Sequence, residues 1–357
     1  MKRISVLDLL RGSALLLVML VHAEASKIIV KMGWISVDLF FVLSGFLVSG
    51  ILFSEYKQFN KIRPLYFLGR RGFKIYPLFY FVLIIHLVYY ACKGESMPID
   101  RILPELFFYQ NYQEGIMAIS WTLAVEEHFY FLLSILLFIV AVKNKIINSV
   151  VVPIGCLFIG VSCFLLRSYT FLNLGYQGEF VNHFPTHLRI DSLSFGVLIS
   201  YLFSFHRQRF SDFIKMNKRT LLLLGIVLLL PVFIWDKTTF IICTFGYTFV
   251  YVSLGILIAL SLEFPDFLKE LTNKFHFQFV YDFMVWVGRY SYGIYLIHFL
   301  VGPGASNFVR ENVDADLPAF VYIAVYLTSD ILFGVLLTHL IEKPFLRIRE
   351  KLLPVKR

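Results

Sequence analysis

Two ionisable residues bound the first apolar segment of the chain, RGSALLLVMLVHAEA at residues 11–25. Arg11 and His22 are eleven positions apart, close to three helical turns, so both side chains lie on one helix face about 16 Å apart along the axis. An imidazole can serve as a general base or as a nucleophile. Arg11 by itself is better explained as a side chain that reaches from the helix to the membrane surface.

A second apolar segment, SWTLAVEEHFYF, carries the adjacent carboxylates Glu126 and Glu127. Ionisable groups at membrane depth cost about 2.5–3.5 kcal/mol on insertion scales, and two neighbours on one helix cannot both face lipid. At least one of them is therefore expected to point into a cavity within the protein. The alternative is an interfacial pair on a helix that begins later.

Two further apolar segments bring polar side chains to the same half of the membrane. Asp38 lies one turn into GWISVDLFFVLSGFL, where it serves equally well as a site residue or as a helix anchor. The four-residue spacing in FPTHLRIDSLSFG predicts that His187 and Asp191 share a helix face, with Arg189 on the other. We interpret the combined set as the wall of one outward-opening pocket. Its members are His22, Asp38, Glu126, Arg189, Asp191 and His298.

The segment GRYSYGIYLIHF places Ser291, Tyr295 and His298 in a stripe at i, i+4 and i+7 of a helix. Taken alone, His298 is more typical of a structural, hydrogen-bonded histidine. Histidines and carboxylates also bind zinc and iron, but the chain has no HExxH motif, and we expect no metal site.

A basic cluster, Arg70, Arg71 and Lys74, lies in FLGRRGFKIYPLFY, just before the third predicted membrane span. Basic loops on the cytoplasmic side of membrane proteins account for such a cluster through topology alone. The functional interpretation is an anion site for a donor that carries phosphate groups.

Composition identifies the elements that must position these residues. The 357-residue chain is 58% apolar and 16% charged, with a mean hydropathy of +0.74, whereas soluble domains carry about 25% charged residues. We predict an all-α polytopic membrane protein with about ten transmembrane helices, in a single domain over residues 1–357 with no fused soluble domain. The predicted spans are 6–26, 35–54, 75–92, 121–142, 146–166, 185–205, 220–235, 239–262, 286–305 and 319–340.

The positions of Lys and Arg orient these spans. With the N-terminus inside, 23 basic residues fall on inside segments and 7 on outside segments, so both termini are predicted to be cytoplasmic. The net charge of +9 then reflects topology, and we expect no nucleic-acid partner. The four cysteines are scattered through apolar runs and predict no disulfide framework. A signal peptide ending at AEA is the alternative for the opening segment.

Seven motifs, in this order, resemble those of the acyltransferase-3 family of integral membrane acyltransferases. They are LDLLRG…VHA (7–23), GWISVDLFFVLSGFLVSGIL (33–52), RRGFKIYPLFY (70–80), SWTLAVEEHFY (120–130), LRIDSLSFG (188–196), GRYSYGIYLIH (288–298) and IEKPF (341–345). The first motif lies within the alternative signal peptide, so the resemblance favours a retained first span.

The resemblance implies transfer of an acyl group, usually acetyl, from acyl-CoA to a hydroxyl of a cell-envelope or secreted glycan. Arg11 and His22 match the arginine and the essential histidine of the first family motif, and Glu126 matches the glutamate of the Trp…Glu…Phe-Tyr motif. The family's cytoplasmic Arg-x-x-Arg, associated with CoA, here reads Arg71-Gly72-Phe73-Lys74. Lysine keeps the positive charge but lacks the planar fork that binds phosphate through two hydrogen bonds.

These observations predict a membrane O-acyltransferase in a bacterial inner membrane, with acetyl-CoA or another acyl-CoA as donor and a glycan or lipid-linked saccharide as acceptor. His22 would act as general base or acyl carrier, oriented by Glu126. The residues expected at the donor are Arg11, Arg70, Arg71 and Lys74. The residues expected at the acceptor are Asp38, Trp121, Arg189, Asp191, Ser291, Tyr295 and His298.

Two other classes of protein fit parts of the pattern. A transporter of acyl groups or small anions would also bury histidine, glutamate and arginine, but such proteins often show repeats and paired broken spans, which are not evident in this chain. A non-catalytic membrane scaffold would have no reason to bury Glu126.

Overall fold

A computed structural model describes residues 4–144, 150–313 and 316–354, and over these ranges the chain consists of helices and the turns that join them. The α-helices of the described residues are α1 (Ser5–His22), α2 (Lys27–Met32), α3 (Ile35–Phe59), α4 (Pro64–Cys92), α5 (Ile99–Phe107), α6 (Trp121–Asn144), α7 (Val151–Leu174), α8 (Glu179–Asn182), α9 (Ile190–Phe205), α10 (Arg207–Met216), α11 (Lys218–Ile234), α12 (Tyr247–Glu263), α13 (Phe267–Lys274), α14 (Gln278–Arg289), α15 (Ser291–Ile297), α16 (Val301–Asn312), α17 (Ala319–Leu337) and α18 (Lys343–Leu352). A 3₁₀ turn spans Thr186–Leu188, and π-helical turns span Ile242–Gly246 and Thr338–Glu342.

Seven helical runs among the described residues are long and apolar enough to cross a membrane. They are α1, α3, α4, residues Trp121–Val142 of α6, α7, Ile242–Glu263 and Ala319–Leu352. The pair α10 and α11, bent by 78°, would make an eighth span, and α9 is apolar but only 16 residues long. The prediction of an all-α, multi-pass membrane protein is confirmed over the described residues, whereas the count of ten spans stays a prediction.

The largest difference from the predicted spans is at α4, which begins at Pro64 and not near residue 75. Proline fits the first turn of a helix because its missing N–H has no intrahelical partner there. Arg70, Arg71 and Lys74, expected just before the third span, therefore lie within the helix that forms it. Pro77 lies within the same helix, as membrane helices tolerate.

The predicted span 286–305 is interrupted twice, at Tyr290 and again between α15 and α16. Pro303 lies in the first turn of α16, where its lack of an N–H is harmless, whereas it would remove a hydrogen bond from one continuous helix. His298 consequently lies in the turn just after α15. The predicted span 185–205 likewise begins as a helix only at Ile190.

Some predicted features lie outside the described residues. Residues 146–149, at the start of the fifth predicted span, are among them. So are several of the basic residues that oriented the chain, namely Lys2, Arg3, Lys145, Lys356 and Arg357.

Glycines allow the closest helix contacts in the bundle. A Cβ added at Gly45 on α3 would lie 1.9 Å from the carbonyl oxygen of Leu193, and one at Gly196 on α9 would lie 2.1 Å from that of Val42. The same relation joins α1 to α14, where a Cβ at Gly288 would lie 1.8 Å from the carbonyl oxygen of Asp8. Small residues of this kind let membrane helices approach through their backbones.

We expect Gly196→Ala to lower the unfolding free energy by about 1–3 kcal/mol, because the added methyl group forces α9 away from α3. Gly155→Ala on α7 is the matched control, since a Cβ there meets nothing within 4 Å. Thermal unfolding of both variants in one detergent measures the difference. An equal melting temperature for both would contradict the close contact of α3 with α9.

Candidate active site

A series of cavities follows α1 from its beginning to its end. We call the end of the bundle where α1 begins the proximal end, and the end where His22 lies the distal end. The central cavity, of about 360 Å³, is lined by Arg11, Arg71, Lys74 and Glu126 among others. With Ser291 and Tyr295, it therefore gathers six of the residues that the sequence predicted for the site.

Two proximal cavities adjoin the central cavity. The α18 cavity, of about 630 Å³, shares Arg11 and Lys74 with it. The α4 cavity, of about 490 Å³, shares Arg71 and Lys74 with it. Lys74 thus contributes to all three cavities.

Two distal cavities reach His22. The tryptophan cavity, of about 420 Å³, is lined by Trp34, Trp121 and His22, and it shares Val37 and Tyr295 with the central cavity. The Arg310 cavity, of about 400 Å³, lies between the end of α1 and helices α16 and α17. His22 therefore lies where the series of cavities ends.

Glu126 is held by hydrogen bonds within the central cavity. Its Oε1 accepts from the Ser44 hydroxyl at 2.7 Å, and its Oε2 accepts from the Tyr130 hydroxyl. Arg71 Nη2 donates to the Tyr130 oxygen at 2.6 Å and lies 3.6 Å from Glu126 Oε2. The carboxylate balances the charge of Arg71 and fixes where that guanidinium points.

His22 has a different partner from the one that the sequence predicted. Its Nδ1 lies 3.1 Å from Nε2 of His298, and Nδ1 of His298 lies 2.7 Å from the carbonyl oxygen of Tyr295. A carbonyl oxygen only accepts, so His298 Nδ1 carries a proton and its Nε2, in the neutral ring, is an acceptor. His22 Nδ1 is then the donor, which leaves a lone pair on His22 Nε2.

The expected contact between Glu126 and His22 is not formed among the described residues. The two side chains lie on the walls of different cavities, which meet at Val37 and Tyr295. The spacing of residues within α1 and within α6 predicts which helix face carries His22 and which carries Glu126. It does not predict which other helix each face contacts, and that depends on how α15 packs between them. The single outward-opening pocket expected from the sequence is thus divided between the central and tryptophan cavities.

Residues of α15 connect these two cavities, as the predicted stripe requires. Ser291 lines the central and α18 cavities, and Tyr295 lines the central and tryptophan cavities. The Tyr295 hydroxyl donates to the Ile119 carbonyl oxygen at 2.9 Å and lies 2.8 Å from Thr122 Oγ1. His298 is fully buried behind His22.

Three of the predicted acceptor residues, Asp38, Arg189 and Asp191, belong to buried ion pairs. Asp38 Oδ2 accepts from Arg189 Nη2 at 3.0 Å, and Asp191 Oδ2 lies 2.8 Å from Arg167 Nη2. Neither Asp38 nor Asp191 lines any of the five cavities. His187 does not share a face with Asp191, because helix α9 begins only after His187.

Arg189 and Trp121 do reach a cavity. Both line the tryptophan cavity, where the indole of Trp121 stacks on Phe184 with ring centroids 4.3 Å apart. The guanidinium of Arg189 lies 4.1 Å from the centre of the Tyr247 ring. Asp38 therefore acts on this cavity only through the arginine that it holds.

Arg70 lies apart from the central cavity. It donates to Glu350 Oε1 at 2.7 Å and to the carbonyl oxygen of Leu353, and it lines only the α4 cavity among the five. The basic cluster predicted as one anion site is therefore divided, since Arg71 and Lys74 face inward and Arg70 holds the segment after α18.

Several side chains at the site were missed by sequence reasoning. Tyr130 lies one helical turn after Glu126, a spacing that could have revealed it. Arg289, Lys343 and Arg349 line the α18 cavity, whereas the sequence places Arg289 beside a predicted span and the other two in the cytoplasmic tail. Among the described residues, no group of three or more His, Cys, Asp or Glu side chains converges as a metal site would require.

Two buried titratable groups support the wall of the tryptophan cavity from outside the spans. Glu105, fully buried, accepts from Met117 N at 2.9 Å and from Ser120 Oγ at 2.8 Å, and burial raises its pKa to about 7. His183 bonds with the Tyr247 hydroxyl. Burial, with the charges of Arg189 and Lys237, lowers the pKa of His183 to about 3.

The helices and cavities together define a multi-pass membrane protein with an internal site that carries cations, a carboxylate and a histidine pair. A family model described as an acyltransferase domain matches residues 4–339. The chain belongs to this family, the acyltransferase-3 family, as its motifs predicted.

Curated relatives agree with this assignment. The chain is 26% identical, over 97% of its length and 58% of the relative, to a protein of Staphylococcus aureus strain COL provisionally named an O-acetyltransferase. It is 25% identical to the peptidoglycan O-acetyltransferase OatA of Listeria monocytogenes, over 84% of this chain and 49% of that one. It is also 25% identical to the O-acetyltransferase OatA of S. aureus strain NCTC 8325, over 89% of this chain and 53% of that one.

The chain thus spans 49–58% of the length of these relatives. Comparison with solved structures finds no match.

The raised pKa of Glu105 predicts how the stability of the folded protein depends on pH. Because its folded pKa lies above the ordinary value, the folded protein binds more protons than the unfolded chain between about pH 4.5 and 7, and stability falls as pH rises through that range. The melting temperature of wild type minus that of Glu105→Gln should therefore decrease from about pH 5 to 7 and stay constant above. The shift corresponds to a few kcal/mol at most, about 1.4 per pKa unit.

His183 contributes the opposite slope, since a lowered histidine pKa makes stability fall as pH drops below about 6.5. That slope is present in both proteins and cancels in the difference. A difference that does not vary with pH would show that Glu105 is ionised in the folded protein throughout.

Proposed function

We propose that the chain is a membrane O-acyltransferase that transfers an acetyl group from cytoplasmic acetyl-CoA to a hydroxyl of a cell-envelope glycan. The observation that carries this proposal is the series of cavities from a cationic proximal end to His22. The relative named as a peptidoglycan O-acetyltransferase makes a glycan the acceptor to test first.

The proposal includes a topology of ten spans with both termini in the cytoplasm of a bacterial inner membrane. The proximal end would be cytoplasmic, because its two cavities carry Arg and Lys side chains and basic segments stay inside. The bent pair α10–α11, α9 and the pair α14–α15 would complete the ten spans.

The donor would bind with its phosphates at the proximal end. Coenzyme A is a polyanion with a long, thin pantetheine arm, and arginine and lysine form charge-assisted hydrogen bonds to phosphate. The arm would pass Arg11 and Lys74 into the central cavity and continue beside Tyr295. The thioester would then reach His22 from the proximal side.

The acceptor would enter through the tryptophan cavity. Trp34, Trp121 and Arg189 line it, and aromatic faces with a few fixed polar groups are the usual lining of a small-molecule site. The acceptor hydroxyl and the thioester would meet at His22, which both paths share. Asp38 would keep Arg189 in place without touching the acceptor.

The lone pair on His22 Nε2 supports two routes. As a general base, Nε2 takes the proton of the acceptor hydroxyl while its oxygen attacks the thioester carbon; the C–S bond breaks and coenzyme A leaves as a thiolate that regains the proton. As a nucleophile, Nε2 attacks the thioester and releases coenzyme A, and the acetyl-imidazole then passes its acetyl group to the hydroxyl. His298 positions His22 in either route.

One observation favours a second candidate function. The cavities follow one another along the bundle, which also suits a transporter of small anions. A transporter would move its cargo unchanged, so formation of an acetylated product separates the two functions.

His22→Ala tests the proposed chemistry. Purified wild-type protein in nanodiscs should release coenzyme A and label peptidoglycan fragments from radiolabelled acetyl-CoA, and the variant should lose at least about 100-fold in rate because base or nucleophile is missing. Equal product from both proteins would overturn the proposal. Mass spectrometry of the wild type without acceptor would reveal an acetyl-histidine if the two-step route operates.

His298→Phe tests the positioning role of the second histidine. Without Nε2 of His298, the His22 ring loses the side-chain partner that orients it, and we expect kcat to fall about 100-fold with little change in KM for acetyl-CoA. Phe299→Leu is the control, because Phe299 contacts the His22 ring edge-on at 5.3 Å without a hydrogen bond. Equal kcat values for these two variants would contradict the role of the histidine pair.

A further inference from the structure

The two proximal cavities differ in how many of their basic side chains already bond to acceptors within the protein. In the α4 cavity, Arg63 Nε donates to Glu55 at 2.5 Å, Arg70 is held by Glu350, and Arg71 donates to Tyr130. These three guanidinium groups of the α4 cavity are thus already engaged with protein acceptors. A phosphate entering there would have to displace these bonds.

The α18 cavity offers more available positive charge. Five cations line it, against two carboxylates, Asp8 and Glu342. The cations are Arg11, Lys74, Arg289, Lys343 and Arg349; of these, Arg349 also lines the α4 cavity and donates to Glu350 Oε1 at 2.6 Å. Among the described residues, neither Arg11 nor Arg289 has a hydrogen-bond or ion-pair partner, and at about 630 Å³ this is the largest of the five cavities.

Its cations come from separate helices that converge on the opening. Arg289 ends α14, and Lys343 and Arg349 both lie on α18 and line the cavity. Lys343 Nζ is 2.6 Å from His339 Nε2 and 5.4 Å from the centre of the Tyr290 ring, which fixes the ammonium at the wall. Such a convergence of basic side chains around an enclosed volume suits a ligand with several phosphate groups.

We propose that the α18 cavity binds the phosphorylated nucleotide end of coenzyme A, with Arg289, Lys343 and Arg349 as its phosphate ligands. This inference rests on the proposed function, because it takes acyl-CoA as the donor. Arg11 and Lys74 line both the α18 and central cavities, so a nucleotide held here leaves its pantetheine arm at the entrance of the central cavity. Arg63, Arg70 and Arg71 of the α4 cavity would then take no part in nucleotide binding.

The first experiment measures binding of 3′,5′-ADP, the nucleotide of coenzyme A, to the purified full chain in phosphatidylcholine nanodiscs. Arg289→Ala and Lys343→Ala should each weaken binding about tenfold, the usual effect of losing one charge-assisted hydrogen bond. Arg289→Lys should retain part of the affinity. Arg63→Ala in the α4 cavity and Arg209→Ala, an exposed residue outside all five cavities, should bind as the wild type does.

Steady-state kinetics provide a second test, in which S-acetyl-pantetheine is the control substrate for acetyl-CoA. The same two variants should raise KM for acetyl-CoA about tenfold and leave KM for S-acetyl-pantetheine, which has no nucleotide, unchanged. A merely structural role for Arg289 would change both substrates equally. Melting temperatures within a degree of wild type would show that the variants fold.

Three results would overturn the inference. One is the absence of saturable 3′,5′-ADP binding by the wild type, and another is weakening by Arg63→Ala with none by Arg289→Ala. The third is a site for anionic lipid headgroups, revealed if phosphatidylglycerol nanodiscs abolish nucleotide binding and Arg289→Ala reduces retention of that lipid. Nucleotide binding without acetyl transfer would instead overturn the proposed function alone.

Discussion

The structure depends on how an apolar bundle accommodates charge. An ionised group among membrane helices is stable only when it is paired or faces a polar cavity, and the described residues show both solutions. Asp38 with Arg189, and Asp191 with Arg167, form closed pairs that join α3, α7 and α9. Arg11 and Lys74 instead face cavities. This division separates charges that hold the scaffold from charges that are available to a ligand.

The histidine pair depends on the same packing. His22 lies at the last residue of α1, and His298 lies just after α15. These two ends meet because α1 runs alongside α14, where Gly12 and Gly288 let the backbones touch. A side chain at either glycine would separate the helices, and the 3.1 Å contact between the two rings would lengthen. The tautomer of His22 is thereby set by helix contacts far from the ring itself.

Local patterns predicted a large part of this arrangement. The eleven-residue spacing of Arg11 and His22, and the stripe of Ser291 and Tyr295, predict shared helix faces because a helix fixes the direction of its own side chains. All four residues line one or more of the five cavities. The partner of Glu126 could not be predicted in this way. Which helix lies opposite α6 is a tertiary property, and α4 begins early enough to bring Arg71 there. The basic residues of α18 could not be assigned to a cavity from the sequence for the same reason. Their cavity forms only where α14, α18 and the start of α1 meet in the folded protein.

A path between two sides of a membrane must admit a substrate without admitting bulk solvent and ions. The central and tryptophan cavities adjoin at two shared residues, Val37 and Tyr295. Tyr295 is fixed there by its bonds to Ile119 and Thr122, so the opening is held by α6 and α15 together. An apolar contact on one side and a tethered hydroxyl on the other suit a thin, uncharged acyl chain and oppose a hydrated phosphate, which would lose its water there without a compensating cation. In the proposed reaction, the junction at Val37 and Tyr295 keeps the nucleotide at the proximal end while the acetyl group reaches His22.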